Sequence, residues 1–266
     1  MPKSPFTIAC CSLALRNRPM QEAINIIADA GYDGIEILYR SIETLDEAAL
    51  RELAQLCVQR NLPVVAISPY FMLTRGREVW LETMKTAEKV LQAGAIFGAK
   101  KVRTFVDAGP DGLPSCRADE NHWKAAIEGL QTLCAMDPSV EFVVETHNDT
   151  LADTLPSVQR LFSEVNKPNL RLNYQAITDF MDRGFFETLE TLYPLMSHMH
   201  WEQVLPDGNV TYIDEPGSID FPKLLNYLVS KGYTGTASVE YCWTPIEESR
   251  VYSAWKFLSG IAPWNK

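Results

Sequence analysis

A single (β/α)8 barrel is the fold the sequence predicts, on three observations. Short β-rich stretches alternate eight times with helix-periodic ones, and no linker or composition break interrupts the 266 residues. In addition, the last four strand-like stretches each end in a polar side chain. Barrel strands deliver their carboxyl ends to one common mouth, so this third observation favours a barrel over a doubly wound open sheet, the other architecture an alternating pattern permits. Residues 1–266 are therefore read as one domain.

The elements follow in order. Residues 6–12 are a short apolar strand, and 20–30 carry apolar residues at helical spacing until Gly31 stops them. A strand at 34–37, a charged amphipathic helix over 46–60 and a Val- and Ile-rich strand over 63–68 come next. The helical pattern over 78–97 ends at Gly98, strand 101–105 follows, and the run AGPDG at 108–112 has the composition of a surface turn. Helix 118–136 and strand 140–145 precede helix 155–165, whose first turn holds Pro156 where a missing amide hydrogen costs least. Strand 169–174, a short helix at 185–192, strand 196–200, helix 221–232, strand 236–240 and helix 248–258 complete the alternation.

Composition narrows the function. A chain that is 46% hydrophobic can bury a large core, and a net charge of -10 leaves no basic surplus for nucleic acid or an anionic membrane. There is no run of about 18 apolar residues, and the start is too polar for a secretory signal. A soluble cytoplasmic protein acting on a small molecule is expected, with room for a homo-oligomer. The cysteines, Cys10, Cys11, Cys57, Cys116, Cys134 and Cys242, form no C-x-x-C pair and no Cys/His zinc spacing, so scattered thiols are expected.

The chain is organised around EFVVETH at 141–147. Its apolar, β-branched run suits a strand covered on both faces, and it ends by delivering Glu145 and His147. A carboxylate there is costly unless a cation or partner takes it up. In a closed barrel Glu240, ending the eighth strand, faces Glu145, with Gln175 and His200 of strands six and seven between them. Two carboxylates, an imidazole and an amide oxygen suit one divalent ion of the manganese, cobalt, magnesium or zinc group. Any one of these residues alone is more often structural. Glu36, Tyr70, Arg103 and His147 are further candidates at the mouth, and Trp201, Trp243 and Trp255 are candidates for the wall of a sugar pocket, although aromatic core is the commoner fate of any one of them. Arg103, in a strand expected to be buried, needs a carboxylate partner or an anionic substrate group, and His147 shares the side-chain direction of Glu145.

The pieces GYDGIEI, KKVRTF, VVETH, HMHWE and SVEY resemble the xylose isomerase-like barrel superfamily of sugar isomerases and epimerases, over nearly the whole chain. That resemblance implies metal ligands at Glu145, Gln175, His200 and Glu240. His198 has the same side-chain parity as His200 one layer deeper, and is read either as a residue supporting the ligands or touching substrate, or as a plain core histidine. It implies isomerisation or epimerisation of a sugar or sugar phosphate through an enediolate, with Glu145 and Glu240 moving the proton next to the carbonyl. The sequence also departs from the family. Gln175 stands where the usual ligand is Asp, and Leu151, Thr178 and Pro206 stand where ketose 3-epimerases carry a Glu, a His and an Arg. The run ETHNDTLADT resembles the metal-dependent 3-dehydroshikimate dehydratases of the same superfamily, which makes dehydration of a cyclic polyol the second reading. A sugar-binding barrel without catalysis is the third. A nuclease of related fold would need a trinuclear, histidine-rich site, and the chain has four histidines.

Overall fold

The computed structural model describes residues 4–107, 112–243 and 246–265, so positions 108–111 of the expected turn lie outside the described residues. The strands are β1 (Thr7–Cys11), β2 (Gly34–Leu38), β3 (Val64–Ser68), β4 (Lys101–Thr104), β5 (Glu141–Glu145), β6 (Leu170–Tyr174), β7 (Met196–Trp201), β8 (Gln203–Val204), β9 (Val210–Thr211) and β10 (Thr236–Val239). The helices are α1 (Met20–Ala30), α2 (Glu47–Gln59), α3 (Arg77–Phe97), α4 (Glu120–Met136), α5 (Leu155–Val165), α6 (Thr178–Arg183), α7 (Phe185–Leu192), α8 (Phe221–Ser230) and α9 (Ser249–Ile261). Eight parallel strands close a barrel in the order β1-β10-β7-β6-β5-β4-β3-β2, while β8 and β9 form a separate antiparallel hairpin. Two compact units share this chain: one runs to Val65 and resumes at Met199, the other is Ala66–His198.

In the first unit β1 lies between β10 and β2, with Cys10 opposite Val239 on one side and Ile35 on the other. Helix α1 ends where Gly31 turns left-handed at φ 103° and its amide donates to the Ala28 carbonyl. A side chain at Gly31 is excluded twice, by that φ and because a Cβ would lie 2.6 Å from the Trp255 indole nitrogen. The excursion after β7 is held by Gln203, a buried amide that hydrogen-bonds to backbone. Its Oε1 accepts from Val204 N and Ile219 N, and its Nε2 donates to the Ile219 carbonyl. A Cβ on Gly217 would fall inside the Gln203 side chain, so the loop closes only around a glycine there.

In the second unit β4, β5 and β6 run side by side, with Arg103 opposite Val143 and Glu145 opposite Asn173. Both helices that follow β4 and β5 begin on reciprocal caps. Asp119 accepts from the Asn121 and His122 amides while the His122 ring takes the Asp119 amide, and Thr154 and Ser157 exchange bonds in the same way. Each such cap is worth about 1 kcal/mol.

Every strand and helix anticipated from hydrophobic periodicity is present, with ends shifted by a residue or a few. The pieces not anticipated are α6 and the β8/β9 hairpin, which are too short to show a period. Trp201 and Trp255 take the aromatic-core alternative. Trp201 has the opposite side-chain parity to His200 and packs edge-on to Phe6 and Phe221, and Trp255 lies on Tyr32. Both make aromatic packing contacts. Among the described residues no helix is long and apolar enough to cross a membrane.

Cys10, Cys11, Cys57 and Cys134 are buried, and Cys116 and Cys242 are exposed. Burial pushes the Cys57 thiol up to about 11 and the Cys134 thiol to about 12, which removes the reactive thiolate at neutral pH. A colorimetric thiol titration of the native protein should therefore report only Cys116 and Cys242 on a fast timescale, with the rest following on denaturation. Fast reaction at Cys57 or Cys134 would contradict this packing.

Candidate active site

The first unit contributes an imidazole held between two carboxylates. His200 is on β7, Glu36 on β2, and Glu240 immediately follows β10; all three are buried. His200 Nε2 lies 3.0 Å from Glu36 Oε2, and its Nδ1 lies 3.1 Å from Glu240 Oε2. A neutral imidazole has one N–H and can donate to only one of these acceptors. If Nε2–H donates to Glu36, the Nδ1 lone pair is left facing the Glu240 oxygen, an arrangement that a cation between them resolves. A separation of 3.1 Å is also the spacing of two adjacent ligands that each lie about 2.1 Å from one ion. Glu36 then acts as the outer carboxylate that fixes tautomer and ring orientation. The donor set therefore fits a divalent metal of the harder kind. Among the described residues, the buried side chains of metal-ligand type include Glu36, Glu145, His198, His200 and Glu240.

The second unit contributes a buried ion pair under an aromatic wall. Arg103 Nε is 3.1 Å from Glu145 Oε2, and both side chains are 0% exposed. Asn173 Nδ2 donates to the same Glu145 oxygen at 3.3 Å. The guanidinium carbon sits 4.5 Å from the Phe105 ring centre and 5.4 Å from that of Tyr70, within cation–π range. Phe105 also stacks with Tyr70 at 5.5 Å and meets the His147 ring edge-on at 5.0 Å. His147 is half-buried, and its Nδ1 is 2.6 Å from the Asn148 carbonyl. That contact requires Nδ1–H and leaves Nε2 as the ring atom that can take or give a proton.

Gln175 directly follows β6 and is buried. Its backbone is locked to Thr146, whose hydroxyl donates to the Gln175 carbonyl at 2.8 Å and accepts from the Gln175 amide at 2.9 Å. His198, two residues before His200, is fully buried. Trp243 is half-buried in a cluster with Tyr212 and Tyr241, each ring 5.2 Å from it. Burial pushes the Tyr241 hydroxyl up despite the Ile213 amide that donates to it, so it stays a neutral hydroxyl.

Glu145, Gln175 and Glu240 thus lie at or just past a strand end, Arg103 and His200 one residue before one, Tyr70, His147 and Trp243 in loops that follow strands, and Glu36 and His198 inside their strands. Asn173, Thr146 and Phe105 were not anticipated. Asn173 had a signal, since it lies two residues before Gln175 and so shares its direction on the strand. Phe105 had none, because an aromatic at a strand end is ordinary core.

A family model for the xylose isomerase-like TIM barrel matches residues 24–258, and the chain belongs to that family. A 3-dehydroshikimate dehydratase of Bacillus anthracis is 23% identical over 218 residues, covering 79% of this chain and 75% of that protein. Among solved structures, the probable 3-dehydroshikimate dehydratase AsbF from Bacillus anthracis superposes with a TM-score of 0.82 at 18% identity, covering 96% of this chain and 99% of that one. The IOLI protein, solved with a zinc atom, gives 0.78 at 18% identity, covering 96% and 98%. The 3-keto-D-glucoside 4-epimerase YcjR from E. coli gives 0.77 at 18%, again covering 96% and 98%. At these identities the structural likeness establishes the fold.

Proposed function

We propose that the chain is a divalent-metal-dependent enzyme that moves a proton next to a carbonyl, and that its reaction is dehydration of a cyclic hydroxy-ketone acid of the 3-dehydroshikimate type. The isomerase or epimerase ranked first from sequence becomes the second reading. The observation that carries the change is Arg103, a fully buried cation 3.1 Å from Glu145 and stacked on Phe105. A fixed guanidinium of this kind suits an anionic substrate group, a carboxylate or a phosphate, and has no comparable use for an uncharged ketose. The 3-dehydroshikimate dehydratase relative, and the absence of the epimerase contacts at Leu151, Thr178 and Pro206, support the same choice.

Glu145, His200 and Glu240 would hold the ion, with Gln175 either as a fourth ligand or as a donor and acceptor to substrate hydroxyls. When bound, the ion supplies Lewis acidity toward the carbonyl and its neighbouring hydroxyl. Arg103, with the Tyr70 ring over its guanidinium, orients the substrate by its carboxylate, and Glu240 removes the proton next to the carbonyl. His147 gives a proton to the departing hydroxyl, so one water leaves and the ring enolises to 3,4-dihydroxybenzoate.

Incubation with 3-dehydroshikimate and Mn²⁺ should produce 3,4-dihydroxybenzoate by ultraviolet absorbance, chelator should abolish it, and Mn²⁺ or Mg²⁺ should restore it. Full activity in chelator would defeat the metal assignment. The Tyr212, Tyr241 and Trp243 cluster favours the second reading, since aromatic faces suit the C–H face of a sugar ring. Turnover of a keto-sugar with none of 3-dehydroshikimate would select it.

A further inference from the structure

We propose that Asp107 is a positioning residue. Its carboxylate clips the loop between β3 and α3 to the end of β4, and so fixes Tyr70 and Phe105 as the wall that orients Arg103 toward an acidic substrate. The inference rests on the substrate reading above for its last step only.

Asp107 is fully buried although it lies in a loop, and its backbone is left-handed at φ 65°, a conformation that costs a residue with a side chain. Both carboxylate oxygens are in use. Oδ1 accepts from the Leu73 amide at 3.1 Å, Oδ2 accepts from the Thr74 amide at 2.9 Å, and Arg75 Nε stands 3.8 Å from Oδ1. Three consecutive residues of one loop thus converge on a single side chain, the two amides being 34 and 33 positions away in sequence. Burial pushes the Asp107 carboxyl up, while the bonds from Thr74 and Leu73 and the Arg75 charge pull it back. A buried carboxylate in a strained backbone is an expensive way to end a strand, and it persists where the surroundings need it.

The clip holds Tyr70. Tyr70 precedes the clipped amides by a few residues and stacks on Phe105 with ring planes 27° apart. Phe105 lies two residues before Asp107 and carries the Arg103 guanidinium on its face and the His147 ring at its edge. The loop has a second tether. The Thr83 hydroxyl of α3 donates to the Met72 carbonyl at 3.0 Å and accepts from the Met72 amide at 3.3 Å. A loop fastened at Met72, Leu73 and Thr74 serves as a fixed wall, which favours affinity through preorganisation.

The test compares wild type, Asp107→Ala, Tyr70→Ala and the double variant, all loaded with Mn²⁺. Asp107→Ala should raise deuterium uptake in the peptide spanning 70–76 and raise KM for 3-dehydroshikimate roughly tenfold. It should leave kcat and the Mn²⁺ affinity within about twofold. In the Tyr70→Ala background it should add nothing further to KM, because its effect runs through Tyr70. Additive effects, a fall in kcat at constant KM, or unchanged uptake in 70–76 would each overturn the proposal. Should Asp107→Ala not fold, Asp107→Asn keeps the shape and one acceptor oxygen, and carries the same comparison with a smaller shift. A wild type inactive on 3-dehydroshikimate counts against the substrate reading alone. The clip then stands or falls on deuterium uptake, which needs no substrate.

Discussion

Glu240→Gln is expected to lower turnover of the metal-loaded protein by roughly 10²- to 10⁴-fold, the usual range for loss of a positioned acid or base. The amide preserves shape, so the fold should survive, but it removes the charge that faces His200 Nδ1 at 3.1 Å. It also removes the basicity needed to take a proton. Metal affinity should fall at the same time, because one of the two anionic ligands assigned to the ion is lost. Steady-state kinetics together with a Mn²⁺ titration read both effects. Turnover within threefold of wild type would take Glu240 out of the chemistry and leave the His200 contact a structural one.

Arg103→Leu carries the largest expected effect on stability. It strips Glu145 of the guanidinium 3.1 Å away while both positions stay inside the barrel wall. Breaking a buried pair from one side costs about 3–5 kcal/mol, because the remaining charge has lost its partner. The Asn173 amide, at 3.3 Å, replaces little of this. Thermal unfolding of the Arg103→Leu single and the Arg103→Leu, Glu145→Leu double variant separates charge from packing. The double variant should regain most of the lost stability and have no activity. Arg103→Lys should stay close to wild type in stability, yet bind substrate worse, since an ammonium lacks the planar fork and the face that lies on Phe105. If Arg103→Leu melts with wild type, the pair contributes nothing and the cation has no structural task.

The barrel was legible in the sequence because its elements are periodic. Residues 20–30 and 155–165 read as helices with the ends the structure gives them, Gly31 marking one stop and Pro156 one start. The placing of Glu145, His200 and Glu240 at or beside strand ends was legible because charged or imidazole groups closing apolar strands are conspicuous. The roles of Glu36 and Asn173 were not, since which side chain meets which across neighbouring strands depends on register and rotamer. Glu36 lies 164 residues from the imidazole it touches. Asp107 was invisible for a similar reason. An aspartate beside a turn-rich run reads as solvated, and only the fold reveals that its two oxygens are committed to amides of a distant loop.

The interlock of Gln203 and Gly217 bears on how this scaffold can be changed. Randomising the excursion after β7 is an obvious route to new substrates, because it carries Tyr212 toward Trp243. Yet Gly217 has no room for even a methyl group while Gln203 is in place, and Gln203 cannot shrink without releasing Val204 and Ile219. The two positions therefore behave as one mutational unit. Libraries that vary either alone are expected to lose stability at that joint, whereas those that freeze both and diversify residues 205–213 keep the frame.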